Sequence, residues 1–211
     1  AILDATHGPD VGAPYVAMPP ARPFLDEVGT PPGRLRIGLV GGSLFGRPIG
    51  ADCAAAVDHA GKLCASLGPV VEEVTLPFHR DALVRAYLVV VSAGVAFQVE
   101  NASRLTGRPA RPEDFEPATW FLSQVGRSLS AFDLEDARVT FQLATRKIAA
   151  ASARFDVLLT STLAHPPAKV GELSTKPWEK AGLALMRAMP ARGLLEKALD
   201  TMSQTALEKT P

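Results

Sequence analysis

Leu35-Arg36-Ile37-Gly38-Leu39-Val40, the glycine-rich turn Gly41-Gly42-Ser43, a helical run over 52–67 beyond Pro48, the stop Gly68-Pro69 and then Val70-Val71-Glu72-Glu73-Val74 follow one another directly. Two short apolar runs, too short for helices, flank a segment of helical length. Neighbouring strands joined through a helix pair in parallel, because an antiparallel pair needs only a tight turn. The pattern therefore predicts a βαβ unit with a right-handed crossover. It assigns the chain to the α/β class, with outer helices around a mixed sheet.

Toward the C-terminus, helical stretches are predicted over 81–106, with Gly107 and Pro109 as stop signals, over 117–126, ending at Gly126, and over 134–154. Ser130 or Asp133 supplies the N-terminal cap of the last. Residues 155–160, Phe-Asp-Val-Leu-Leu-Thr, form a third strand that runs into the loop Ser161-Thr162-Leu163-Ala164-His165-Pro166-Pro167. From Ser174 onward amphipathic helices are expected, broken at Met189-Pro190. Their buried positions would be Trp178, Leu183, Leu185, Met186, Leu194, Leu195 and Leu199.

Toward the N-terminus, seven of the eighteen prolines fall within residues 9–32. Proline fixes φ and removes a donor, so this stretch is expected to run extended and non-helical. The domain division is thus a Pro-rich connecting arm over 1–33 and an α/β segment over 34–211. Either the arm straps a larger body, with Tyr15, Phe24 and Leu25 as anchors, or it is a disordered linker. Residues 1–9, Ala-Ile-Leu-Asp-Ala-Thr-His-Gly-Pro, read as the last turns of a helix that begins earlier, so the chain reads as the interior of something longer.

Composition narrows the function. With 211 residues, 47% of them hydrophobic and 21% charged, the chain can build a globular core without metals or disulfides. Its 22 basic and 22 acidic residues cancel, so no long-range field gathers nucleic acid or anionic lipid. The longest unbroken apolar run, 86–91, is far short of the roughly 20 residues of a membrane span, and residues 1–9 lack the features of a secretory signal. Cys53 and Cys64, eleven apart on one helix, stand about 16 Å apart and cannot bridge. Two reduced cysteines fit a cytoplasmic protein, and neither C-x-x-C nor a Cys/His cluster is present to hold zinc. No cofactor and no metal are expected.

Several motifs carry chemistry in principle. Gly41-Gly42-Ser43-Leu44-Phe45-Gly46 has the glycines of a phosphate loop but lacks its lysine and Ser/Thr, so it reads as a turn. His7, His59, His79 and His165 are scattered, and no G-x-S-x-G occurs; His165, beyond a strand end, is the one placed where α/β proteins bind ligands. The acidic groups Glu113, Asp114, Glu116 and Asp133, Glu135, Asp136 stand beside helix starts, where they complement the dipole. Trp120-Phe121 with Gln124 offers an apolar wall with one donor, or core packing.

Three stretches are similar to a known family. The opening residues 1–15 with Pro19-Pro20-Ala21-Arg22-Pro23-Phe24-Leu25, the βαβ run over 35–74, and Phe155-Asp156-Val157-Leu158-Leu159-Thr160-Ser161-Thr162 resemble, in order, the interior of amidase signature hydrolases. Glu116-Pro117-Ala118-Thr119-Trp120 with Gly126-Arg127-Ser128-Leu129-Ser130-Ala131 looks most like the branch that includes 6-aminohexanoate cyclic dimer hydrolases. Ser161 stands where the family usually has proline, and Pro69 where it often has histidine.

The resemblance implies a partial amidase-signature fold and a serine hydrolase acting on linear or cyclic amides through a Ser, cis-Ser, Lys triad. The family's Gly-Gly-Ser-Ser-Gly-Gly-Ser motif is absent from these 211 residues, and Gly41-Gly42-Ser43 follows a strand in the wrong part of the family order. No catalytic residue is therefore expected in this chain, which alone should be inactive. Its substrate-binding candidates are Thr160, Ser161, Thr162 and Trp120. Its implied partners are a small-molecule amide, the remainder of an amidase chain and, in a homodimer, a second copy. The competing reading is a stand-alone, non-catalytic α/β module that binds a partner.

Overall fold

The computed structural model describes residues 1–41, 49–171, 200–201 and 204. Strand β1 (Arg36–Val40), helix α3 (Ala51–Ser66) and strand β2 (Val70–Glu73) form the expected βαβ unit, preceded by the short helices α1 (Ile2–Thr6) and α2 (Phe24–Glu27). Helices α4 (Arg80–Thr106), α5 (Pro117–Ser128) and α6 (Ala131–Ser152) follow, and strand β3 (Val157–Thr160) returns to the sheet. The strand order is β2-β1-β3. Both pairings are parallel, with Ile37 opposite Val71 on one side and Val157 on the other. The described sheet is thus wholly parallel rather than mixed.

Central β1 carries the buried side chains Ile37 and Val40, and α3 packs over the sheet through buried Val57. Side chains lock the sheet at its entry. The Arg36 amide donates to the Asp156 carboxylate at 2.7 Å while the Asp156 amide donates back to the Arg36 carbonyl at 2.8 Å. Glu72 receives Arg36 at 3.3 Å and Arg154 at 3.1 Å, and Arg154 lies 4.7 Å above the Phe155 ring. These pairs are half-exposed and contribute mainly geometry.

The main apolar core lies among α4, α5 and α6, where Ala86, Val89, Phe121, Val125 and Ala137 meet. α4 ends at Gly107, whose φ of 68° suits a residue without Cβ. α6 begins three residues earlier than its apolar pattern suggests, because Ser130 caps it in a reciprocal box with Asp133. α5 runs past Gly126 to Ser128; that glycine serves helix packing rather than helix ending. By length and mean hydropathy α4 could cross a bilayer, a property that a search for unbroken apolar runs misses. In the fold it is the centre of the three-helix group, packed on α5 and α6.

The arm departs from the extended expectation at α2, a single helical turn at Phe24–Glu27. Asp4 of α1 accepts the Phe24 amide at 2.6 Å and the Leu25 amide at 3.0 Å, supplying the cap that Pro23 cannot. Arg22 clasps Glu27 through two bonds, and His7 meets Phe24 edge-on at 5.6 Å. Tyr15 is 90% exposed and Leu25 56%, so within the described chain they anchor nothing. The apolar positions expected in the tail, Trp178 to Leu199, lie outside the described residues, as do residues 42–48 of the glycine-rich turn.

Candidate functional site at the C-terminal edge of the sheet

Parallel strands deliver their following loops to one edge, and ligands of open α/β sheets bind there, where successive crossovers leave in opposite directions. Here β1 and β3 are neighbours, and the loops that follow them share that edge. Val40 pairs with Thr160, so Gly41 and Ser161 leave the sheet side by side.

The loop after β3 folds across the start of α3. The Gly50 amide donates to the Ala164 carbonyl at 2.8 Å. His165 packs so near that a Cβ on Gly50 would stand 2.9 Å from its Nδ1. Gly50 is the N-terminal cap residue of α3 and offers no side-chain oxygen to the helix. Ser161 Oγ donates to the Leu163 carbonyl, tightening the turn. Thr160 and Thr162 are exposed and Ser161 is half-buried. Two hydroxyls thus face outward at the strand end, on a loop held by a backbone bond and an imidazole.

Trp120 lies elsewhere. It stacks on Phe115 at 6.1 Å between ring centres and borders a cavity of about 660 Å³ formed by α4, the turn after it and α5. None of Thr160, Ser161 or Thr162 lines that cavity. The structure brings three of the four candidates together and leaves the fourth in a separate hollow.

The remaining sequence candidates have structural employment. Asp114 accepts the Arg111 amide at 3.1 Å, Asp133 accepts Ser130, and Glu135 pairs with Arg138 at 2.6 Å. His59 is exposed on α3, and His79 is the exposed residue before α4. Cys53 and Cys64 are free thiols. Sequence reasoning missed Gly50; its position just before a helix, after a glycine-rich loop, was the available signal.

The chain matches the model of the family described as Amidase over residues 1–196. It is 27% identical over 184 residues to the 6-aminohexanoate-cyclic-dimer hydrolase of Pseudomonas sp. (strain NK87), covering 82% of this chain and 36% of that protein. The enzyme of the same name from Paenarthrobacter ureafaciens is 26% identical over the same shares. A solved structure of 6-aminohexanoate cyclic dimer hydrolase complexed with substrate superposes with a TM-score of 0.74 at 22% identity, over 83% of this chain and 37% of that one. A second structure of an enzyme of that name gives 0.75. The likeness establishes the fold, and the chain spans little more than a third of these proteins.

Proposed function

The chain belongs to the amidase family, and from that membership we propose that it works in the hydrolysis of carbon–nitrogen amide bonds. The match over residues 1–196 is the observation that carries this reading. In the mechanism the family implies, a serine attacks the amide carbonyl, its proton passes by way of a cis-serine and a lysine to the departing amine, and backbone N–H groups hold the oxyanion. Serine motif and lysine come from sequence beyond these 211 residues. This chain supplies the sheet that carries the cleft and, in the loop Thr160-Ser161-Thr162, one of its walls. The docking of that loop over the start of α3 at the C-terminal edge of the sheet supports the assignment.

The relatives are named for a cyclic dimer of 6-aminohexanoate, which makes a cyclic amide the first substrate to try. The test compares the 211-residue chain with a longer one that also carries Gly-Gly-Ser-Ser-Gly-Gly-Ser and its lysine. Ring opening by the longer chain alone is the expected result, and absence of hydrolysis from both a cyclic and a linear amide overturns the reading. A non-catalytic binding module is the second reading. It is favoured by the Trp120 cavity, which is lined by α4, α5 and the turn between them and lies apart from the sheet-edge loop. A monodisperse, stable isolated chain would speak for it, because a piece of a larger fold leaves strand edges and apolar faces open.

A further inference from the structure

The cavity beside Trp120 is held open by fixed contacts. Ser103 Oγ accepts the Ala110 amide at 2.8 Å and sets the turn that follows α4. Glu100 of α4 and Arg127 of α5 meet at 2.8 Å across the rim, and Arg108 is drawn aside to Asp114 at 3.3 Å. Residues that these pairs leave unused line the same hollow. Among the described residues the Arg104 guanidinium has no acidic partner, and neither the Trp120 indole N–H nor the Gln124 side-chain oxygen has a hydrogen-bond partner.

Among the described residues the lining contains three arginines and one carboxylate, Glu100. Glu100 and Asp114 balance Arg127 and Arg108, and the C-terminal end of α4, with about half a negative charge, offsets only part of the Arg104 guanidinium and leaves these described residues slightly positive. A guanidinium fork matches a carboxylate with two parallel bonds. The indole adds a flat apolar face and a donor beside it. An inorganic anion would use only the fork, whereas an anion with a hydrocarbon chain uses fork and ring together. We propose that this cavity is a binding site for aliphatic carboxylates, with Arg104 holding the carboxylate and the chain lying on Trp120. A volume of about 660 Å³ accommodates such a ligand.

The test measures the melting temperature of the protein with hexanoate, hexanamide, hexylammonium or inorganic phosphate at equal ionic strength, since a ligand of the native state raises it. Hexanoate alone should raise it, with a midpoint weakened about tenfold in Arg104→Gln. Arg104 is exposed, so the variant should fold; Arg104→Lys, which keeps the charge and loses the fork, should weaken the midpoint by about threefold. An equal rise with hexanamide, a larger one with phosphate, or an unchanged midpoint in Arg104→Gln overturns the proposal. No turnover is involved, so the outcome is separate from the hydrolytic reading.

Discussion

Gly126 on α5 lies against the main-chain carbonyl of Ser92 on α4, so close that a Cβ added there would stand 2.0 Å from the oxygen and 2.8 Å from the Ala96 methyl. Backbone meets backbone at this crossing. The helices must part to admit even one carbon, and no side chain can swing away to relieve the clash. Gly126→Ala should therefore destabilise the protein by roughly 1–3 kcal/mol despite the better helix propensity of alanine. The melting temperature should fall by about 2–4 °C for each kcal/mol. An unchanged melt would show that the crossing is looser than the structure has it.

Ser92 itself is fully buried, and among the described residues its hydroxyl has no hydrogen-bond partner. Burying a hydroxyl without a partner costs about 1–3 kcal/mol. Ser92→Ala is expected to leave stability unchanged or raise it by about 1 kcal/mol in denaturant unfolding. A loss larger than that would mean the hydroxyl is satisfied.

At the sheet edge, Gly50→Ala sets a methyl against the His165 ring, 2.9 Å from Nδ1. The ring is a side chain on a surface loop and can move, so the expected loss of stability is small, under about 1 kcal/mol. If the loop borders the cleft, KM should rise while kcat changes less. Adding His165→Ala should restore KM, and an additive double mutant would break the proposed link between Gly50 and the loop.

Thr162→Ala removes an exposed hydroxyl from that loop without disturbing a described contact. In an enzyme assembled around this chain, the expected effect is a raised KM or a changed preference among amides at unaltered stability. Kinetics identical to the parent for both a cyclic and a linear amide would remove the loop from the cleft.

The Asp4 carboxyl responds to opposing influences. Burial tends to raise its pKa, but the hydrogen bonds from the Phe24 and Leu25 amides lower it, and the group is held below its ordinary range. A native pKa lower than the unfolded one stabilises the clasp above the ordinary carboxylate range, and that stabilisation disappears as the pH falls through the lowered value. The amide resonances of Phe24 and Leu25 should shift together with a midpoint below that of an ordinary aspartate. Asp4→Asn should abolish the transition; its persistence would assign it to another group.

Local chemistry made much of this fold legible. Alternating strand, helix and strand over 35–74, the Gly107 stop and the Ser130 cap each depend on residues within a few positions of one another. What escaped depends on distant partners. α2 arises because Asp4, twenty residues earlier, caps it. Gly126 looked like a helix end because nothing in its neighbourhood announces Ser92. The candidate site divides in the same way: Thr160, Ser161 and Thr162 are proposed from their position after a strand, whereas the contact of Gly50 with His165 joins residues far apart in the chain. For Trp120 the sequence leaves wall and core packing open, because the residues that face it across the hollow, Ser103 and Arg104, lie on another helix.

The bond from the Arg36 amide to Asp156 spans 120 residues, whereas β1 and β2 are joined through a single helix. The two sides of the sheet therefore impose unequal demands on a folding chain. Closing β1 on β2 orders a segment with one helix, and closing β3 on β1 must bring together ends separated by four helices, with a larger entropic cost and a slower search. During synthesis the βαβ unit can form while α4 to α6 are still being made. Strand β1 then waits with one flank unpaired until β3 arrives, and that interval is when the nascent sheet is most open to pairing with the wrong strand.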